Sequence, residues 1–369
     1  MLTPAAVSTL RRAVRCALAL EHRAPDAWRW KDQVPPGDFV AAVAAHRVAA
    51  VLEPALDRCA YPAAVTEAVR RQRNHARLAA MGQIHAIRAV DAQLAPLDHL
   101  FIKGAALAVR TTGDPTARGA GDIDVVVRPD DLGAATELLL DCGWSVRDGY
   151  TVDRRSWAWR HQLRTTYELG LEGTLGRLDL HWRLDPTYGA LPGFDELWAR
   201  HETVDIGPAA VPTLAGPDTL AHSLRHAAKD SWSSLRSLVD IARLAQVPGN
   251  WPEHLDRLDR ATLTVVNATI GLPSSVPRFR STASAIPTAL RTQVRSAEEI
   301  RFPGDNAQRF ARYMLASSHG PRDLVTTASM VALPPVLTAT IAEQHLLPAL
   351  AAAAGRRVAQ ALTNLRARR

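Results

Sequence analysis

The chain has 369 residues, 47% of them hydrophobic and 22% charged, a balance that argues against disorder and fibrous repeats and leaves room for two or three domains with sizeable cores. Lys and Arg number 44 against 37 Asp and Glu, a net charge of +7 that is compatible with nucleotide or nucleic-acid partners but too thinly spread to name one. Cys16, Cys59 and Cys142 fall in no Cys-x-x-Cys or Cys/His spacing, which argues against a zinc site or a disulfide framework and predicts buried thiols in a reducing cytoplasm.

Residues 1–96 read as a helical region, rich in Ala, Leu, Val and Arg. The apolar patch Ala17-Leu18-Ala19-Leu20 follows three arginines, but Cys16 interrupts it and Glu21-His22-Arg23 closes it, so no signal peptide is expected. Val40, Val43, Ala44, Val48, Val51 and Leu52 recur at helical spacing between turns at Pro35-Pro36-Gly37-Asp38 and Tyr61-Pro62. A long helix is predicted from Pro62 to about Gln93, whose Arg70, Arg71, Arg73, His75 and Arg77 either face phosphates or form a solvated basic face.

The pattern changes at Leu97. The apolar run Leu100-Phe101-Ile102 ends in Lys103-Gly104, and Ile123-Asp124-Val125-Val126-Val127 is a second run with a carboxylate set into it; two strands with an alanine-rich helix between them fit. Asp130-Asp131 can cap a helix from Leu132 to Cys142, ended by Gly143. Trp157, Trp159, His161 and Tyr167 interleave with Arg154, Arg155, Arg160 and Arg164, a mixture that stacks on a base, binds an acidic acceptor or forms an amphipathic edge. Tyr167-Glu168-Leu169 and the run from Arg177 to Trp182 alternate as strands around Gly170, Gly173 and Gly176, so the sheet is predicted from about 98 to 184, within an α/β domain over 97–205.

Residues 206–369 return to helical periodicity. Leu220, Leu224, Ala227, Leu235, Leu238, Val239, Ile241 and Leu244 stay in one register, opened by Asp218-Thr219 and closed by Pro248-Gly249-Asn250. The uncharged stretch from Leu324 to Ala342 contains Pro334-Pro335 and reads as helix-turn-helix rather than a membrane span, and Ala351 to Ala354 is simply helix-prone. The fold class predicted is α+β, a small mixed sheet embedded between helical segments.

Chemistry concentrates at Gly121-Asp122-Ile123-Asp124. Residues two apart on a strand share a face, so Asp122 and Asp124 present two carboxylates together while Ile123 and Val125 enter the core. Such oxygens on a rigid strand suit Mg²⁺, and Asp179, set between Leu178 and Leu180 on a later strand, is the candidate third acid. His181 shares a face with Asp179 and can orient it, contact an acceptor or serve structurally. Lys103 can neutralise phosphate; Arg118 can do so or pair with Asp114 or Asp122. His222, His226 and Lys229 share a helical face at spacings of four and three, as substrate contacts, support or packing; no third soft ligand accompanies the histidines for zinc.

The motifs Lys103-Gly104-Ala105-Ala106-Leu107, Arg118 with Gly121-Asp122-Ile123-Asp124, Leu178-Asp179-Leu180-His181-Trp182, and His222 with His226 occur in an order and spacing that resembles the uncharacterised nucleotidyltransferase branch of the polymerase-beta-type nucleotidyltransferase superfamily, over roughly residues 40 to 245. The resemblance implies transfer of a nucleoside monophosphate from a nucleoside triphosphate to a hydroxyl-type acceptor, with release of pyrophosphate. It implies that Asp122, Asp124 and Asp179 are the catalytic acids and hold two Mg²⁺ ions, and that Lys103, Gly104, Arg118 and Gly121 bind the nucleotide. One departure is visible. The wider superfamily carries serine after its glycine turn and a shorter gap to the acid pair, where this chain has Ala105. A small molecule, peptide or natural-product intermediate is favoured as acceptor over a tRNA or other RNA, and a non-catalytic nucleotide-binding or interaction module is the rival reading. A cytoplasmic enzyme without membrane attachment is expected.

Overall fold

The computed structural model describes residues 2–21, 30, 34–207, 209–272 and 306–332. Among these, thirteen α-helices surround one seven-stranded mixed sheet, the α+β class expected. Helices α1 (Pro4–Glu21), α2 (Pro36–His46) and α3 (Ala49–Leu52) bury Leu10 and Phe39 in a helical core together with Val43, Val48, Val51 and Leu52 of the sequence stripe, whose Val40 is half-buried and Ala44 exposed. Helix α4 (Ala63–Leu94) joins two cores: Val65 and Val69 enter the helical one, while Ile84, Ile87, Val90 and Leu94 enter the core of the sheet. Arg70, Arg71 and Arg73 along it pair with Asp57, Glu67 and with Glu53 and Asp114, so carboxylates, not a phosphate-facing groove, engage these three.

The sheet comprises β1 (His99–Phe101), β2 (Ile123–Val127), β3 (Ser145–Val146), β4 (Glu168–Gly173), β5 (Gly176–His181), β6 (Glu202–Asp205) and β7 (Ala210–Thr213), in the order β3-β4-β5-β2-β1-β7-β6. Two pairings are parallel, β2 with β5 and β1 with β7. The sheet thus runs past its predicted end near residue 184, because β6 and β7 add an antiparallel pair beside β1. Each is four residues long, too short for alternation to mark it. Ile123, Val125, Val127, Leu169, Leu171, Leu178 and Leu180 face one way and pack against α4, α5 (Gly104–Thr112) and α6 (Leu132–Asp141). Asp131 precedes α6 as expected, but its carboxylate takes Arg128 rather than capping the helix.

Helices α7 (Trp157–Thr165) and α8 (Phe194–Ala199) flank the sheet, and α9 (Gly216–Lys229), α10 (Leu235–Leu244) and α11 (Arg257–Ile270) complete the helical core. The single helix predicted from Asp218 to Pro248 is two, because Ser231 and Trp232 take left-handed φ of 57° and 53° between them. Buried Trp232 donates its indole N–H to Thr262, and this tertiary anchor overrides the unbroken periodicity. Helices α12 (Asn306–Ser317) and α13 (Pro321–Ala332) follow. Pro334-Pro335 and Ala351 to Ala354 lie outside the described residues, and no described helix is long and apolar enough to cross a membrane. Cys16 and Cys59 are buried, their Sγ atoms 3.2 Å apart, whereas Cys142 is exposed at the end of α6, against the expectation of burial.

Candidate active site

Parallel pairing of β2 with β5 sets Ile123 beside Leu178 and Asp124 beside Asp179. Alternation sends the two apolar side chains into the core, so the two carboxylates emerge as neighbours on the other face, on backbones about 4.8 Å apart. Asp122 immediately precedes β2, and all three acids line one cavity of about 420 Å³.

The two strand aspartates differ electrostatically. Lys103 Nζ lies 2.7 Å and His181 Nε2 3.2 Å from the same Asp124 oxygen, Oδ1. Burial acts to raise the pKa of Asp124, but the Lys103 charge and the His181 hydrogen bond outweigh it and hold the carboxyl well below the usual range. Asp179 has the reverse balance: burial and the charges of Glu168 and Asp124 push it up to about 6, against His181 and Arg147. Its buried Oδ1 accepts no hydrogen bond, although Arg147 Nη1 stands 3.4 Å away. Gly170, opposite Asp179 in β4, makes room for that guanidinium, which a Cβ would strike. His181, placed by the sequence beside Asp179, instead reaches across to Asp124 and stacks on Tyr167 with centroids 5.7 Å apart.

Lys103 is the extended residue before α5, and Gly104 follows at φ +59°, a left-handed conformation that glycine adopts without a Cβ penalty. Gln83 of α4 stands against Gly104 and donates to the Gly121 and Asp122 carbonyls at 2.8 and 3.1 Å, so one side chain ties the turn after β1 to the approach of β2. Arg118 pairs with neither Asp114 nor Asp122 but with Asp240 of α10, at 2.8 Å. Helix α9 walls the cavity with His222, His226 and Lys229. Burial, reinforced by Lys103 and by other nearby positive groups, pushes both histidines well below their usual range, so they stand neutral. Lys229 stays charged despite burial, because Asp230 and Glu168 face it, and it donates to the Tyr167 hydroxyl at 2.7 Å.

Lys103, Gly104, Arg118, Gly121, Asp122, Asp124, Asp179, His222, His226 and Lys229 all line this cavity, and His181 stands behind Asp124. Of the aromatic and arginine mixture, Tyr167 lines it, while Trp159 packs in the core as part of the amphipathic helix α7. Sequence reasoning missed Arg47, Gln83, Glu168 and Arg236. Glu168 was within reach of the period-two rule, since it shares a sheet face with His181 and Asp179; the others carry no local signal. The acids also prove less exposed to one another than expected, because Lys103 and His181 compensate Asp124. Hard oxygens, one of them orphaned on Asp179, fit a divalent cation in charge and chemistry. As they lie, however, no three His, Cys, Asp or Glu side chains among the described residues converge closely enough to hold an ion, Asp124 being turned onto Lys103.

A strand-borne acid pair beside a lysine-glycine turn, under a helix carrying two histidines, defines a polar site built for a charged substrate. The model of the uncharacterised nucleotidyltransferase family matches residues 32–269, a span that contains every residue lining the cavity, and the chain belongs to that family. Membership supports a general role in nucleotidyl transfer and hence a nucleotide substrate. No curated protein and no solved structure gives a significant match.

Proposed function

We propose that the protein is a Mg²⁺-dependent nucleotidyltransferase of the polymerase-beta type that moves a nucleoside monophosphate from a nucleoside triphosphate to a hydroxyl-type acceptor. The observation that carries this reading is the register of β2 and β5, which sets Asp124 beside Asp179 on the wall of a cavity shared with Asp122 and Lys103. Asp122, Asp124 and Asp179 would hold Mg²⁺, which when bound neutralises the triphosphate and acidifies the acceptor hydroxyl. In the transfer, the acceptor oxygen bonds to the α-phosphorus, the bond to pyrophosphate breaks, and the acceptor proton leaves. Asp179, whose buried Oδ1 accepts no hydrogen bond, is the carboxylate placed to receive it. Lys103 is placed to exchange Asp124 for a phosphate, and Gly104 lets the backbone approach closely. His181 fixes the orientation of Asp124, and neutral His222 and His226 face the cavity as hydrogen-bonding groups for substrate.

The test is turnover by purified Asp122→Asn and Asp124→Asn proteins that fold like the wild type. Loss in both supports the reading, and full activity in both removes it. The rival, a module that binds nucleotide without turnover, is favoured by the Lys103–Asp124 ion pair, which satisfies the acid without a metal ion. Tight nucleotide binding with no pyrophosphate release from any acceptor class would select it. A small molecule or peptide acceptor predicts little salt dependence, whereas an RNA acceptor predicts affinity that falls steeply with salt.

A further inference from the structure

Close to Asp122 the cavity wall turns basic. Arg118 comes from the loop before β2, Arg236 from α10, and Arg47 from the left-handed residue that ends α2. Arg236 Nη1 donates to the Arg118 carbonyl at 3.1 Å, and Arg47 Nη1 lies 3.9 Å from where a Cβ on Gly121 would stand. Asp240 takes both Nε and Nη2 of Arg118, at 2.9 and 2.8 Å, so one guanidinium of the three is matched. Among the described residues no ion pair reaches the other two.

This arrangement is costly as it stands. Arg236 Nε is buried with no acceptor, and an unsatisfied buried donor loses free energy that only a partner restores. Burial and the like charges of Arg118 and Arg47 bring Arg236 down to about 10. The same cavity holds carboxylates on β2 and β5 with Lys103 and Arg177 among them, whereas between α2 and α10 the three arginines outnumber Asp240 and leave that end net positive. A ligand of matching polarity carries a cation at one point and a run of anionic oxygens at the next. Guanidinium forks match phosphate oxygens two at a time, and two unmatched forks beside the Asp240-held Arg118 suit a chain of phosphates better than a single carboxylate.

We propose that Arg47, Arg118 and Arg236 form the subsite for the polyphosphate tail of the triphosphate, and for pyrophosphate before it leaves. The identity of the ligand rests on the nucleotidyltransferase reading; the need for an anion rests on the cluster alone. Both arginines that sequence reasoning missed come from helical regions outside the α/β segment, so the tail is gripped where the helical parts meet the sheet.

The test is metal-free calorimetric titration of the full chain with tripolyphosphate and, in parallel, AMP. Wild type should bind tripolyphosphate, with affinity about tenfold weaker in both Arg236→Gln and Arg47→Gln, about threefold weaker in Arg236→Lys, and AMP binding unchanged. Exposed Arg47 keeps the test decisive if Arg236→Gln unfolds. Failure of wild type to bind tripolyphosphate, equal binding by the glutamine variants, or an equal loss of AMP binding would each overturn the subsite. Asp124→Asn separates the two proposals. If it abolishes transfer while the arginine variants bind normally, the reaction stands and the subsite falls; if the arginine variants lose tripolyphosphate while Asp124→Asn transfers normally, the reverse holds.

Discussion

Asp124 and Asp179 are direct neighbours across the parallel β2–β5 ladder, yet Lys103 holds one ionised against its burial while burial and acidic neighbours push the other up to about 6. A carboxyl whose folded pKa exceeds its unfolded value binds more protons when folded, so its contribution to stability falls as pH rises from 3.8 through about 6. Removing the charge with Asp179→Asn should therefore raise stability at pH 8 by on the order of 1–3 kcal/mol, visible as a Tm several degrees higher, with little change at pH 4. Thermal unfolding at the two pH values measures this. A Tm at pH 8 equal to or below wild type would contradict it.

The Lys103–Asp124 pair should behave as a buried ion pair, with side chains 19% and 9% exposed. Lys103→Met strands the carboxylate and should cost about 3 kcal/mol near neutral pH. Because the pKa of Asp124 is depressed in the fold, the stabilisation exists above its unfolded value and is lost as pH falls through the folded one, so the penalty should shrink in acid. Adding Asp124→Asn to Lys103→Met should recover most of the loss. Urea unfolding of the cycle gives the coupling, and additive single-variant effects would rule it out.

Gly104 sits at φ +59° with the position of a Cβ 3.3 Å from Gln83 Oε1. Gly104→Ala should cost about 1–2 kcal/mol through the left-handed backbone and also loosen Gln83 from Gly121 and Asp122. Nucleotide affinity should fall with stability. An alanine variant with wild-type stability would mean that the turn relaxes freely.

What the sequence made legible depends on how local the cause is. The apolar–acid–apolar alternation around Asp124 and Asp179 is a period-two signal that turns each acid away from the core of its own strand. Which strands pair is non-local, so Asp124 opposite Asp179, and His181 bonded to Asp124, emerge only from the fold. Arg47 and Arg236 are two basic residues in a chain with 44, and nothing in their neighbours separates them from solvated arginines. The break at Ser231 and Trp232 is set by the pocket that receives the indole, not by a glycine or proline.

The thiols should separate by burial. Cys142 is exposed while Cys16 and Cys59 are buried, so a thiol reagent should label one cysteine in the folded protein and three after unfolding. Mass spectrometry of labelled peptides reads this directly. Rapid native labelling of Cys16 or Cys59 would show that α1 opens readily.

The most direct test of the account is calorimetric titration with ATP, GTP, CTP and UTP, with and without Mg²⁺, on wild type and Asp124→Asn. At least one triphosphate should bind more tightly with Mg²⁺, and the Mg²⁺-dependent part should be lost in the variant. Binding that is absent throughout, or indifferent to both Mg²⁺ and Asp124, would contradict it.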